Sequence, residues 1–207
     1  MKQETIPMKD IMLAIPSMPK LAVALLVKGK VYDALLTEIL KYDYFSDGHH
    51  FFTPKELQQK LNLCYAQFRK QINSLYDDFM GSISDPDTAL CLGDKLCEFY
   101  VHYFHKNVTF YARLSELPRI GEQMQFPFIR PIIGHDLYLV QRVTHAVLND
   151  RQDFEIWLSP GEFNLFEQFE KDKAKSEGRY DWMNDRIIAD EKSQRQVAHN
   201  TRHRKFW

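Results

Sequence analysis

Glycine is scarce in this 207-residue chain, and the loops that depend on it are missing. There are eight glycines, and no glycine-rich loop that cradles a phosphate group occurs. The Gly-x-Ser-x-Gly turn that presents a nucleophilic serine and the zinc-binding His-Glu-x-x-His helix are also absent. These absences argue against an enzyme, so we expect no catalytic residue, no metal site and no cofactor.

Cysteine and net charge are also sparse. Three cysteines occur, at positions 64, 91 and 97, and an odd number without a dense framework indicates reduced thiols in a cytoplasmic compartment. The 27 basic and 28 acidic residues give a formal net charge of −1. No global electrostatic field therefore attracts nucleic acid, and any affinity for it has to come from local patches.

Long hydrophobic runs are lacking too. The uncharged runs over residues 11–19 and 21–27 are too short to span a membrane, and Pro16, Pro19 and Lys20 interrupt them. Acidic residues precede both runs, unlike the positively charged start of a signal peptide. We therefore expect a cytoplasmic protein without a membrane segment.

What the chain does contain is a pair of helix-forming segments joined by a short turn. Thr53 is a helix-capping residue, Pro54 suits the first helical position, and Glu56 completes a capping box three residues after the cap. Asn62 tolerates the left-handed backbone conformation that ends many helices. The pattern predicts a helix that starts at Pro54 and a sharp turn at Asn62.

The second helix of the pair is amphipathic. Cys64 is its candidate cap, and its buried face is a stripe at helical spacing, formed by Phe68, Ile72, Leu75 and Phe79. Off this stripe lie the amide and basic side chains of Gln67, Arg69, Lys70 and Asn73. Two helices locked by a short turn, with such a face on the second, suit the major groove of DNA.

At these residues the chain resembles the helix-turn-helix superfamily, and its winged-helix branch in particular. The resemblance covers residues 53–80 and, less closely, residues 31–80. The residues that carry it are Glu56-Leu57, Asn62-Leu63, Cys64, Phe68-Arg69-Lys70 and Leu75. Gln58 stands where the family usually has a small residue, and Asn62 replaces the usual turn glycine.

The resemblance implies a transcriptional or mobile-element regulator that places residues 65–80 in the major groove of double-stranded DNA. Gln67 and Arg69 would reach base edges, because amide and guanidinium groups match purine acceptors. Tyr65 would contact a sugar or a thymine methyl, and the lysines would hold phosphates. The full set of expected DNA contacts is Lys55, Lys60, Tyr65, Gln67, Arg69, Lys70 and Asn73.

The fold class that we expect is α+β. A winged-helix-like domain of three helices would precede a small antiparallel β module that loosely resembles SH3-type barrels. Two hairpins are predicted in this module, turning at residues 105–107 and 149–153. The expected segments are an irregular arm over 1–19, the helix-turn-helix domain over 20–82, a linker over 83–94, the β module over 95–159, a helix over 160–178 and a disordered basic tail over 179–207.

Two other function classes remain open. A protein-interaction adaptor, acting on a protein partner or as a homodimer, is favoured by the near-neutral charge and by Asp77 and Asp78, which would repel phosphates. A binder of single-stranded nucleic acid would instead use aromatic residues in the strands, namely Phe99, Tyr103, Phe110 and Tyr111. Few basic residues lie among these aromatics, so core packing is the preferred interpretation.

A zinc site is the remaining chemical candidate. Cys91, Cys97, His102 and His105 lack the paired ligands on tight knuckles that structural zinc sites usually have. His102 and His105 also fall in a strand-like run, where positions three apart point to opposite faces. We therefore expect no metal at these residues.

Overall fold

The computed structural model describes residues 6–26, 29–41, 52–148, 151–161, 165–181 and 186–187. The chain divides into two compact units, Met1–Phe163 and Asn164–Trp207. Within the described ranges there are seven α-helices and a curled six-stranded sheet. The mixed α+β class predicted from the sequence is confirmed.

The first unit opens with helices whose starts are marked by proline. Pro7 caps the first helix, Pro16 lies in the 3₁₀ turn that follows, and Pro19 opens the second helix. Proline is tolerated there because the N–H groups of a first helical turn have no partner within the helix. Residues 8–17 are therefore helical where the sequence predicts an irregular arm. The helical bounds are α1 Met8–Ala14, a 3₁₀ turn Ile15–Ser17, α2 Pro19–Leu26, α3 Asp33–Leu40, α4 Pro54–Lys60, α5 Tyr65–Ile83, 3₁₀ turns Pro86–Thr88 and Pro127–Ile129, and α6 Arg130–Ile133.

The predicted helix pair is α4 and α5, and its local signals are confirmed. The Glu56 N–H donates to Thr53 Oγ1 at 3.2 Å, and the Thr53 N–H donates to Glu56 Oε2 at 2.7 Å, which completes the capping box. Asn62 has a φ of 51°, in the left-handed region. The apolar stripe predicted for α5 is buried, and Tyr76 and Ile83 extend it.

Six strands form one mixed sheet in the order β1-β3-β2-β6-β5-β4. The predicted hairpins are present as the antiparallel pairs β2–β3 and β5–β6; the tip of the second, residues 149–150, lies outside the described residues. The hairpins join through a parallel pairing of β2 with β6, and β1 runs parallel to β3. The strand bounds are β1 Leu90–Cys91, β2 Lys95–Tyr103, β3 Lys106–Leu114, β4 Gln123–Gln125, β5 Leu137–Leu148 and β6 Arg151–Pro160.

The sheet differs from the antiparallel module predicted from the sequence. A hairpin turn sets only the direction of its own two strands, whereas tertiary packing decides how two hairpins dock. β1 falls inside the predicted linker and forms one end of the sheet, while β4 forms the other end. Among the described strands these two ends are not paired with each other, so the SH3-like barrel is not confirmed, and neither are the winged-helix details.

One hydrophobic core joins the helices of the first unit to the inner face of the sheet. Phe99 and Phe110 stack with ring centroids 4.8 Å apart, and Phe126 meets both edge-on. The Tyr76 hydroxyl of α5 donates to the Phe128 carbonyl at 2.8 Å, which satisfies a buried polar group. The helical domain and the β module, predicted as separate domains, thus contribute to a single cluster of buried residues.

The second unit contains the predicted C-terminal helix, here α7, Leu165–Ser176. Two short strands follow, β7 Tyr180–Asp181 and β8 Arg186–Ile187, and they pair with each other in antiparallel fashion. Most of the predicted basic tail, residues 182–185 and 188–207, lies outside the described residues. In the part of the chain that is described, no helix is long and apolar enough to cross a membrane.

Candidate nucleic-acid interface

The N-terminal half of α5 is open to solvent. Tyr65 is 55% exposed, and Ala66, Gln67 and Lys70 are exposed as well. The apolar stripe that begins at Phe68 faces the core; Ala66, Gln67 and Lys70 lie off this stripe, whereas Tyr65 is in line with it, one turn before its first buried residue. Within the described ranges neither the sheet nor another helix covers these four positions, so this half of α5 is accessible to a large partner.

The two lysines predicted on α4 differ in their surroundings. Lys55 is exposed. Lys60 Nζ lies 2.8 Å from Glu38 Oε2 and 5.1 Å from the centre of the Phe52 ring. Hydrogen bonds from Lys41 and then Lys60 hold the pKa of Glu38 below its usual value. Lys60 therefore already neutralises a carboxylate of α3.

The two predicted base-reading residues both make bonds within the protein. Gln67 Oε1 accepts the Cys64 N–H at 3.3 Å, which supplies the glutamine half of a capping box at Cys64, the N-cap residue of α5. Arg69 donates from Nη1 to Tyr65 Oη at 3.2 Å and from Nη2 to the Ile6 carbonyl at 3.4 Å. The Gln67 amide group still offers its two N–H donors, and both Arg69 bonds are at the long end of the range.

Charge changes sign along α5. Lys70 is exposed and Asn73 is half-buried one turn further on, whereas Asp77 is exposed two turns after Lys70, ~10 Å along the axis. The second acid, Asp78, accepts from the Tyr32 hydroxyl at 2.6 Å and lies 3.3 Å from Lys30 Nζ. Burial and this carboxylate raise the pKa of Tyr32. The sequence pattern suggested two free acids, but Asp78 is neutralised locally.

All seven predicted contact residues lie on α4 and α5, but they are not equivalent. Tyr65, Gln67 and Lys70 share the exposed half of α5, and Lys55 is exposed on the preceding helix. Lys60 and Arg69 are engaged with other residues of the protein, and Asn73 is half-buried. The carbonyl partner of Arg69, at Ile6, was not foreseen because no local pattern links positions 63 residues apart.

A second exposed surface, which the sequence did not single out, lies on the outer face of the sheet. Tyr100 of β2 stacks on Trp157 of β6 with ring centroids 4.7 Å apart, and the Arg142 guanidinium of β5 lies 4.5 Å from the Trp157 ring centre. Burial and a hydrogen bond to Glu98 raise the pKa of Tyr100 to about 12. The sequence did hold a signal for this surface. Side chains alternate between the two faces of a strand, so Tyr100 points away from the core while the residues before and after it point into the core.

The same alternation of inward and outward side chains decides where the aromatic and zinc candidates predicted from the sequence lie. Phe99 and Phe110 are fully buried, so their predicted use in core packing is confirmed. Cys97 is buried on the inner face of β2 while His102 is exposed on the outer face. Within the described part of the chain, no group of three or more His, Cys, Asp or Glu side chains is arranged to hold a metal ion.

Comparison with protein-family models, curated proteins and solved structures finds no match to this chain. The candidate interface comprises the exposed, locally basic start of α5, the capped helix α4 that precedes it, and an acidic residue two turns further along α5.

Proposed function

We propose that this protein binds duplex DNA by placing the N-terminal half of α5 in the major groove. The observation that carries the proposal is the exposure of Tyr65, Gln67 and Lys70 in the first two turns of α5, with Lys70 on the side of the helix opposite the core. An α-helix presented in this way fits the width of the groove. Helix-turn-helix proteins contact bases with the N-terminal residues of this helix, which is the half that is exposed here.

The contacts within this interface divide by chemistry. Lys70 and Lys55 hold phosphates, since an exposed ammonium group is a point charge without a preferred base. The Gln67 amide donors reach purine acceptors while its oxygen continues to cap the helix. Arg69 keeps its bonds to Tyr65 and Ile6 and so holds the tyrosine in place at the start of α5.

The distribution of charge supports a short interface. Asp77 lies about one Debye length from Lys70 at physiological salt, so it repels phosphates near the middle of α5 without cancelling the charge at its start. The DNA therefore meets the first two turns of α5 and the exposed side of α4. The near-neutral charge of the whole chain makes this affinity modest, and the affinity falls as salt rises because phosphate contacts release counterions.

Lysine substitutions test this interface directly. We expect Lys55→Gln and Lys70→Gln each to lower the slope of log affinity against log salt by about 0.9, the value for one phosphate contact. The matched control is Lys20→Gln, which removes an exposed lysine from α2. Fluorescence anisotropy with a pool of random-sequence duplexes measures the slope. Equal slopes in the unchanged protein and all three variants, or no binding at low salt, would rule out this interface.

A second candidate function is an adaptor that binds a protein partner through the outer face of the sheet. It is favoured by the ladder of Tyr100, Trp157 and Arg142, because Tyr, Trp and Arg are the residue types enriched at the centres of protein interfaces. The two functions separate on a heparin column. Retention that falls with salt and is weakened by Lys70→Gln supports DNA binding, whereas a chain that is not retained leaves the adaptor as the better account.

A further inference from the structure

A pair of carboxylates lies on the outer face of the sheet, beside the ladder of Tyr100, Trp157 and Arg142. Glu98 of β2 and Glu155 of β6 are register partners in the parallel pairing of these strands, and both are half-buried. Alternation along each strand places them on the same face as Tyr100 and Trp157. Burial raises the pKa of Tyr100 to about 12, with further contributions from Glu98 and Glu155, so both carboxylates lie near this hydroxyl group.

The residues around this pair do not neutralise its charge. The Tyr111 hydroxyl donates to Glu98 Oε1 at 2.8 Å, but a phenol is an uncharged donor. Two arginines share this face, Arg142 of β5 and Arg113 of β3, and among the described residues neither forms an ion pair with either carboxylate. Like charges at directly paired positions of neighbouring strands destabilise a sheet, so a cation bound between the two carboxylates offsets this cost.

The spacing of the two carboxylates and the rings beside them suit an arginine side chain. Neighbouring strands lie about 4.8 Å apart, so one planar guanidinium fork can donate to both carboxylates. Tyr100 and Trp157 stack with ring centroids 4.7 Å apart, and Trp157 is 36% exposed. These rings form an apolar wall next to the carboxylates, and the methylene groups of an arginine stem can lie against such a wall.

From this arrangement we infer that the outer face of the sheet binds a protein segment that presents an arginine side chain. The guanidinium group pairs with Glu98 and Glu155, and its stem lies against the rings of Tyr100 and Trp157. An open sheet face suits a protein surface, whereas a small molecule needs a concave pocket. The inference rests on the second candidate function and specifies its partner, and it does not depend on the proposed contact with DNA.

Peptide libraries test which charge the surface selects. The probes are fluorescein-labelled short peptides with random flanking positions and one fixed central residue, which is arginine, lysine, citrulline or glutamate. Citrulline has nearly the shape of arginine without its charge. We expect the full chain to bind the arginine library about tenfold more tightly than the citrulline library, with lysine between them and glutamate weakest, because only a cation pairs with the carboxylates. Equal anisotropy titrations for arginine and citrulline would overturn the proposal.

Variants locate the binding on the sheet. Glu155→Gln is expected to weaken binding of the arginine library by about tenfold and, because it removes one of two opposed charges, to raise the midpoint of thermal unfolding. Weaker binding in a more stable protein cannot result from misfolding. The matched control, Glu116→Gln, removes an exposed carboxylate that follows β3 and should leave the affinity unchanged. Lys70→Gln should also leave it unchanged, which separates this surface from the DNA contact. Arginine binding that Glu155→Gln does not weaken would refute the site.

Single-stranded nucleic acid is the other class of partner that exposed aromatic rings can hold, because bases stack on such rings whatever their sequence. A labelled oligothymidylate tests this alternative. We expect no binding that depends on Trp157, since Glu98 and Glu155 repel phosphates. Oligothymidylate binding that Trp157→Ala abolishes would assign the ladder to nucleic acid and overturn the proposal.

Discussion

Arg69 of α5 donates from Nη2 to the carbonyl oxygen of Ile6, 63 positions earlier in the chain, at 3.4 Å. The same arginine donates from Nη1 to Tyr65, so one side chain connects the segment before α1 to the exposed start of α5. Ile6 also lines a cleft of about 430 Å³, together with Asp10 of α1, Lys106 of β3 and Arg130 of α6.

The double variant Arg69→Ala/Lys70→Ala removes one orienting contact and one phosphate contact from α5. We expect duplex affinity to fall by about tenfold or more, since each good contact contributes roughly 1–3 kcal/mol. A gel-shift titration measures the change. The double variant Lys20→Ala/Arg119→Ala alters net charge by the same amount at exposed positions elsewhere and should cost much less. Equal losses in both would mean that only net charge matters.

Tyr76→Phe tests the bond between α5 and the loop that carries α6. The Tyr76 hydroxyl donates to the buried Phe128 carbonyl at 2.8 Å, and removing this hydroxyl leaves the carbonyl without its donor. We expect the free energy of unfolding to fall by about 1–3 kcal/mol, as measured by urea titration. Tyr65→Phe removes a hydroxyl from an exposed tyrosine and should cost only a small fraction of this. Similar losses in both variants would show that the buried bond contributes little.

Replacing Gly93 and replacing Gly81 with alanine should change the stability of the protein in opposite directions. A Cβ at Gly93 would lie 2.0 Å from the Ser115 nitrogen, so Gly93→Ala forces backbone apart at the end of β3. Gly81 lies within α5 with open space around it, so Gly81→Ala should stabilise the protein by about 0.5–1 kcal/mol through helix propensity. Thermal unfolding distinguishes a lower midpoint for Gly93→Ala from a higher one for Gly81→Ala. Two shifts of the same sign would contradict the packing described at Gly93.

Local signals accounted for a large part of the fold. The capping box at Thr53, the left-handed turn at Asn62 and the buried stripe along α5 were all predicted, because each depends on residues within a few positions of one another. The hairpins β2–β3 and β5–β6 were predicted for the same reason. The prolines near the N-terminus misled the prediction, since a proline that breaks one helix is also suited to begin the next.

Nonlocal contacts account for the features that were missed. The parallel pairing of β2 with β6 brings Tyr100 beside Trp157, and no pattern in either strand specifies the other. The shared core of helices and sheet removes the boundary expected at residues 83–94, because burial depends on what packs against a face as well as on the face itself. The cleft likewise gathers Asp10, Lys106 and Arg130 from three distant segments.

Periodicity and capping chemistry alone determined that this protein has an amphipathic α5 with amide and basic groups on its outer side, because these are properties of neighbouring residues on one helix. Only the tertiary structure decided which of those groups stand exposed. On α5, Lys70 faces solvent and Arg69 is held by Ile6, and on the preceding α4, Lys60 is paired with Glu38. The physical reason is that an ion pair or a hydrogen bond between distant residues depends on how the chain packs, and helical spacing carries no record of that packing.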